Sequence, residues 1–354
     1  MPPENKDKSI KITMDDLANV SVPDPAALLP TTPSAGGAKV YGSINEASDP
    51  QTQVTEEKGS LLLQGWFYLG AAGLVGALLG WGVCEPWFVD GPDRRVWQSF
   101  LLTALVVTLQ CVAYAISESI VERSPKKALI RGGLAIPVGL VLGVMISFFA
   151  GIVFMITTGL VGALGVQTAR NPAFWLARGI AWMVLGVAAG AAYGIIGMSA
   201  KKAWYGILGG AIGAGLGGML FDPIALATKG GAVSRGVGFG LLGMATGVAM
   251  GLVESALKDR WLYVTAGPLA GKQFILYKPR TMIGSDQKCD IYLFKDSNIL
   301  KEHAIVELAG SRIMLLAIGA TYVNGQPVRQ QVLMSGVVVQ IGRYAFRYQE
   351  RQRK

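Results

Sequence analysis

Tyr205–Phe221 reads YGILGGAIGAGLGGMLF, with glycines at 209, 213 and 217 and no charged side chain between Lys202 and Asp222. In water each of those glycines would weaken a helix by roughly 1 kcal/mol against alanine. In lipid the backbone must satisfy its own hydrogen bonds, so a helix forms regardless. Small residues at every fourth position then let a neighbouring helix come close. The stretch reads as a packed transmembrane helix. The same spacing recurs at Gly186, Gly190 and Gly194 and at Gly243, Gly247 and Gly251. All nine glycines are expected helix contacts.

Outward from this stretch, five more apolar segments are long enough to cross the hydrocarbon core. The six fall at 62–84, 97–119, 129–155, 173–198, 203–221 and 235–256. Together they make a polytopic α-helical membrane domain over 61–256. Apolar character continues through Thr157–Val166, which reads as a re-entrant or interfacial piece or as an extended third helix. The chain is 51% apolar and 16% charged, with a formal charge of +9. Basic residues at helix ends account for that charge, so nucleic acid is not expected as a partner and the lipid bilayer is. Cys84, Cys111 and Cys289 are isolated and His303 is the single histidine, which excludes sites built on paired Cys or His ligands. No nucleophile elbow, phosphate loop or dinucleotide fingerprint occurs, so neither an enzyme nor a cofactor site is expected.

Residues 1–60 are rich in Pro, Ser, Thr, Asp and Lys and lack the apolar run of a secretory signal. They are expected to form a disordered tail. Within the helical block the sequence repeats itself. Glu85-Pro86 ends the first segment and Asp222-Pro223 the fifth, an offset of 137 that also carries Gly76 and Gly80 onto Gly213 and Gly217. Arg178, Gly186, Gly190 and Gly194 fall on Arg235, Gly243, Gly247 and Gly251 at an offset of 57. Three tandem helix pairs are the economical reading. Basic residues favour the second and fourth breaks, at Arg123, Lys126, Lys127 and Arg131 and at Lys201 and Lys202. The positive-inside rule then places both termini in the cytoplasm.

After Trp261 the pattern changes to short β-like runs broken by turn residues, as in an all-β sandwich over 261–350. A basic tail, 351–354, follows. Ile283-Gly284, Cys289-Asp290-Ile291, His303-Ala304, Thr321-Tyr322-Val323-Asn324-Gly325 and Ile341-Gly342 resemble, in order and spacing, the forkhead-associated (FHA) domain. The resemblance implies a module that reads phosphothreonine through an Arg, a Ser and an Asn. Here those positions are Ser285, Leu300 and Gly319, so the phosphate site is degenerate. Lys288, Asn298, Lys301 and Thr321 complete the expected ligand-facing loops, with the lysines and Asn298 available as a substitute cluster. The resemblance makes His303 a structural residue, and Asn324-Gly325 is a hairpin turn signal.

These readings lead to a multi-domain protein of the bacterial cytoplasmic membrane. Its expected role is a scaffold whose FHA-like domain binds a cytoplasmic protein independently of phosphothreonine. Assembly into a homo-oligomer is compatible with it. The alternative is a channel or transporter subunit gated through that domain.

Overall fold

The computed structural model describes residues 60–89, 95–165, 170–228, 231–310 and 312–351. Apart from Ser60 and Arg351, the tails expected over 1–60 and 351–354 lie outside the described residues. Six long helices come first: α1 (Gly65–Cys84), α2 (Val96–Val121), α3 (Pro125–Ala163), α4 (Pro172–Ile196), α5 (Ala200–Ala227) and α6 (Gly231–Leu257). All six are long and apolar enough to cross a membrane. Their starts follow local chemistry. Asn171 caps α4 by accepting from the Ala173 amide beside a first-turn proline, and Ser199 accepts from the Lys202 amide at the start of α5.

Consecutive helices pack in pairs and α6 returns to α1, so the block is a closed ring, with α2 and α4 also touching across it. The seams rest on glycine. A Cβ at Gly186 would overlap the Gly210 carbonyl, one at Gly190 the Gly206 carbonyl, and one at Gly194 the Ala203 backbone. Between α6 and α1, Gly243 meets Gly73, Gly247 meets the Leu69 carbonyl and Gly251 meets the Trp66 backbone. Gly209, Gly213 and Gly217 of α5 face the backbone of Met250, Thr246 and Leu242 of α6. Offsets of +57 on the even helix and −137 on the odd one carry the α4–α5 contacts onto the α6–α1 contacts. Gly186–Gly210 becomes Gly243–Gly73, and the ion pair Arg178–Asp222 (2.8 Å) becomes Arg235–Glu85 (2.5 Å).

Two expected boundaries are corrected. The third segment does not end at 155: of the readings open for the stretch that follows, the extended helix holds through Ala163, since α3 is one helix of 39 residues. At 1.5 Å per residue it is about 58 Å long, nearly twice the hydrocarbon thickness. Asp222-Pro223 does not close the fifth segment either, because α5 runs on to Ala227 with Pro223 inside it. Pro223 leaves the Met219 carbonyl without its helical donor and crowds it, a cost confined to the end of the helix.

Two residues after α6 the β-domain begins. Its strands are β1 (Arg260–Ala266), β2 (Gln273–Ile275), β3 (Arg280–Gly284), β4 (Ile291–Tyr292), β5 (Ala304–Ala309) and β6 (Arg312–Ala317), followed by β7 (Thr321–Val323), β8 (Gln326–Pro327), β9 (Gln330–Leu333), β10 (Val338–Ile341) and β11 (Tyr344–Glu350). One sheet runs β2-β1-β11-β10-β7-β8 and the other β4-β3-β5-β6-β9. Leu262, Val264, Phe346 and Tyr348 from the first sheet meet Ile283, Val306 and Leu315 from the second in one core. Alternation along the strands puts these residues on the inner faces.

The β-domain is seated on the helix ends that carry the basic breaks. Lys272 and Glu122, each 2% exposed, pair at 2.8 Å, and Lys127 approaches the same carboxylate at 3.5 Å. Tyr277 donates to the Glu254 carboxylate, Lys201 pairs with Asp259, and Arg351 donates to the Ala256 carbonyl. Just beneath, Glu118 receives Lys202 and Arg131, both at 2.9 Å. Burial in this junction pushes the Tyr277 phenol well above its ordinary value, and the Glu254 charge adds to the shift.

Candidate functional site

Three loops at one edge of the sandwich hold the expected site: β3–β4 (285–290), β4–β5 (293–303) and β6–β7 (318–320). His303 organises them from within, and it is 1% exposed. Its amide donates to the Ile283 carbonyl at 2.8 Å, while its own carbonyl accepts from Ile318 and Gly319 at 2.8 and 2.9 Å. On the ring, Nε2 lies 3.0 Å from the Ala320 carbonyl and Nδ1 accepts the Leu300 amide at 3.1 Å. A carbonyl can only accept and an amide can only donate, so the ring is the neutral tautomer with its proton on Nε2. Burial lowers its pKa in the same sense. His303 ties the β4–β5 and β6–β7 loops to the end of β3, and the β3–β4 loop joins them through the Ser285 and Asp286 amides, which donate to the Leu300 and Lys301 carbonyls.

The degenerate positions can be read off directly. The Ser285 amide donates to the Leu300 carbonyl, and its hydroxyl donates to the Ile299 carbonyl at 2.8 Å. That hydroxyl braces the loop and its proton is not offered outward. Leu300 is 48% exposed and Ile318 is 55% exposed, placing apolar side chains on the rim. Gly319 lies flat on the His303 ring, where any Cβ would collide with the imidazole. Lys288, Asn298 and Lys301 are exposed on these loops, with the Lys288 and Asn298 amides held by Asp286 and Asp296 at 3.0 Å. Thr321 differs from expectation. It is buried, because β7 turns it inward with Val323, and its hydroxyl donates to the Gly319 carbonyl. Asn324 and Gly325 both have positive φ (49° and 80°), the type I′ hairpin geometry, and the Asn324 side chain accepts the Val338 amide.

Sequence reasoning missed the second wall of this site. The β3–β4 loop abuts the α2–α3 turn: Gln287 accepts from the Ser124 hydroxyl at 3.1 Å and from the Lys126 amide at 3.2 Å. Arg123, in a left-handed conformation (φ 52°), lies 5.8 Å over the Phe294 ring. On the far side the Arg343 amide donates to Asp296 and its guanidinium reaches the Lys295 carbonyl. Arg123, Lys126, Lys288, Lys295, Lys301 and Arg343 are thus exposed on these loops and on the segments that abut them, together with Glu302. The only signal for the Arg123 contribution was a basic helix end, which reads equally well as a membrane flank.

Residues 263–352 match the family described as the inner membrane component of T3SS, cytoplasmic domain. The C-terminal domain is FHA-like. Glycogen accumulation regulator GarA of Mycolicibacterium smegmatis is 38% identical over 86 residues, 23% of this chain and 54% of that protein. An oxoglutarate dehydrogenase inhibitor of Corynebacterium efficiens is 35% identical over 86 residues, 23% of this chain and 60% of the inhibitor. This chain therefore spans about half the length of the curated relatives it matches. The crystal structure of the FHA domain of CT664 from Chlamydia trachomatis covers 27% of this chain and all of its own, at 25% identity and a TM-score of 0.25. With six membrane-crossing helices ahead of an FHA-like domain, the chain is a multi-pass membrane protein.

Proposed function

We propose that the protein is an inner-membrane scaffold that uses the rim of its FHA-like domain to hold a cytoplasmic protein without requiring phosphothreonine. The observation that carries this reading is the rim itself. Leu300 and Ile318 are exposed on it, and the Ser285 hydroxyl is already committed to Ile299. A phosphate dianion needs charge-assisted donors, each contributing about 1.5–3 kcal/mol net. Losing two of them weakens binding by roughly a hundredfold to ten-thousandfold. Exposed apolar side chains on loops that also carry Lys288, Lys295 and Lys301 suit instead an acidic surface presenting an apolar anchor.

Both termini are cytoplasmic in this reading. The basic second and fourth breaks and the β-domain share one end of the ring, as the positive-inside rule asks. Three tandem helix pairs build the ring, a view supported by the two seams that the sequence offsets relate. The family description for 263–352 suggests a part in a secretion assembly, and the protein is read as an interaction module and not an enzyme. The test is partner capture from membranes by the full chain, comparing wild type with a Leu300→Asp/Ile318→Asp variant that retains its fold. Loss of the captured protein supports the rim as the binding surface. Unchanged capture places binding elsewhere.

A further inference from the structure

At the end of the ring away from the β-domain, a cavity of about 690 Å³ opens between α2, α3, α4, α5 and α6. Its size falls in the range of about 300–1,000 Å³ typical of small-molecule sites. The deep wall is apolar: Leu102, Trp182, Leu185 and Phe239 line it and are each at most 9% exposed. Phe148 and Met155 of α3, 59% and 68% exposed, stand at its lateral side, where lipid would lie.

The polar groups in this cavity are unusual. Arg178 donates through Nε to Asp222 at 2.8 Å, and its two terminal nitrogens have no acceptor among the described residues. Its guanidinium sits 5.0–6.0 Å from the rings of Phe154, Phe174, Trp182 and Phe221, which hold it in place by cation–π contact. Ser147, 6% exposed, and Ser99 both line the cavity, and neither hydroxyl has a hydrogen-bond partner. Buried hydroxyls left unpaired are costly, and the Arg178 terminal nitrogens remain open to an acceptor. Leu185 lies seven residues, about 10 Å, deeper along α4 than Arg178. Donors near the helix ends therefore lead into an apolar shaft.

We propose that this cavity binds an acyl-chain amphiphile with an acidic head. The head accepts from Arg178, with the Ser99 hydroxyl able to join it after a turn about χ1, and the chain lies along Leu102, Leu185 and Phe239. A free fatty acid and an acidic phospholipid share this chemistry.

The purified full chain in detergent is exposed to stearic acid carrying a diazirine near its tail, and separately to the matching stearyl alcohol. After illumination, labelled residues are located by peptide mass spectrometry. Adducts on Trp182, Leu185 or Phe239 can form only from inside the cavity, whereas Leu140 and Val144 report on the lipid-facing surface. The acid should label the interior residues about tenfold more than the alcohol, the ratio that roughly 1.4 kcal/mol of head preference gives. Ser147→Phe should abolish interior labelling and leave surface labelling unchanged. If that variant fails to fold, competition by unlabelled stearate on the wild type decides the same point. The mass of material co-purifying in native mass spectrometry separates a free acid from a phospholipid as its source. Unlabelled interior residues, equal labelling by the alcohol, or labelling that excess stearate does not reduce would overturn the proposal.

Discussion

The α4–α5 seam and the outer half of α3 are both rich in glycine, but only the seam uses it. A methyl group at Gly190 would run into the Gly206 carbonyl, whereas one at Gly151, Gly159 or Gly162 would meet nothing within 4 Å. The seam glycines are spaced by four and face a second row, Gly206 and Gly210, in register. Those of α3 are spaced by eight and three and face lipid-exposed space beside Met155 and Leu160. Glycine in a membrane helix therefore has two meanings. Paired rows bring two backbones into contact, and the gain is dispersion and packing. Unpaired glycines add little, because lipid already enforces the helix.

The contrast between contacts that admit no change and contacts that do extends to the domain junction, where the largest effect is expected. Lys272→Met would leave the buried Glu122 carboxylate with only its longer contact to Lys127, at 3.5 Å. Breaking such a pair costs about 3–5 kcal/mol, which should lower the thermal midpoint of the full chain in detergent. Adding Glu122→Leu should recover most of the loss, since the uncompensated charge is then gone. A single variant as stable as wild type would place the junction among the tolerant contacts.

A smaller effect distinguishes the glycine rows. Gly190→Leu and Gly247→Leu should each destabilise by about 1–3 kcal/mol through overpacking. Gly159→Leu should stay within about 0.5 kcal/mol of wild type. Equal losses at Gly190 and Gly159, measured by the same melting assay, would erase the distinction between paired and unpaired rows.

The smallest effect is a pH dependence. His303 is held neutral, with its folded pKa below the ordinary 6.5. Above 6.5 the ring is neutral in both states and the stability is fully present. As pH falls below 6.5 the unfolded chain takes up a proton that the folded domain resists, so stability declines until the folded ring also titrates. His303→Gln should flatten that part of the melting-versus-pH curve, lowering stability at neutral pH while removing the slope. A slope that survives the substitution would assign it to another group.

Much of this was legible in the sequence, and the gaps have physical causes. Charges placed at intervals of a bilayer thickness located the six helices. The length of α3 was hidden because Thr157–Val166 carries neither a charge nor a proline to mark where it leaves the apolar layer. Asp222-Pro223 looked like a stop, but Asp222 is the buried partner of Arg178 and the helix continues past it. In the β-domain the landmarks fixed His303 and the Asn324-Gly325 turn, whose geometry is local. Thr321 was misplaced because its inward direction depends on the pleat of β7 against the rest of its sheet. Lys272 gave no signal at all. A lysine in a Gly-Lys-Gln turn reads as solvated, and only the approach of α2 from 150 residues away makes it a buried counter-ion. The rim shared with Arg123 is of the same kind, since no property of either segment alone announces the contact.

The scaffold reading has this FHA-like rim recognise protein without phosphothreonine. It is tested most directly by calorimetric titration of the full chain, in lipid nanodiscs, with a phosphothreonine peptide library and its unmodified counterpart. The peptide Lys8–Val20 phosphorylated at Thr13 belongs among them, because Asp16 follows three residues later. The expected result is no more than a few-fold preference for the phosphorylated forms, as the loss of two charge-assisted contacts dictates. Phosphate-dependent binding tighter than about ten micromolar, near −7 kcal/mol, would contradict the claim and assign Lys288 and Lys301 as a rebuilt phosphate site.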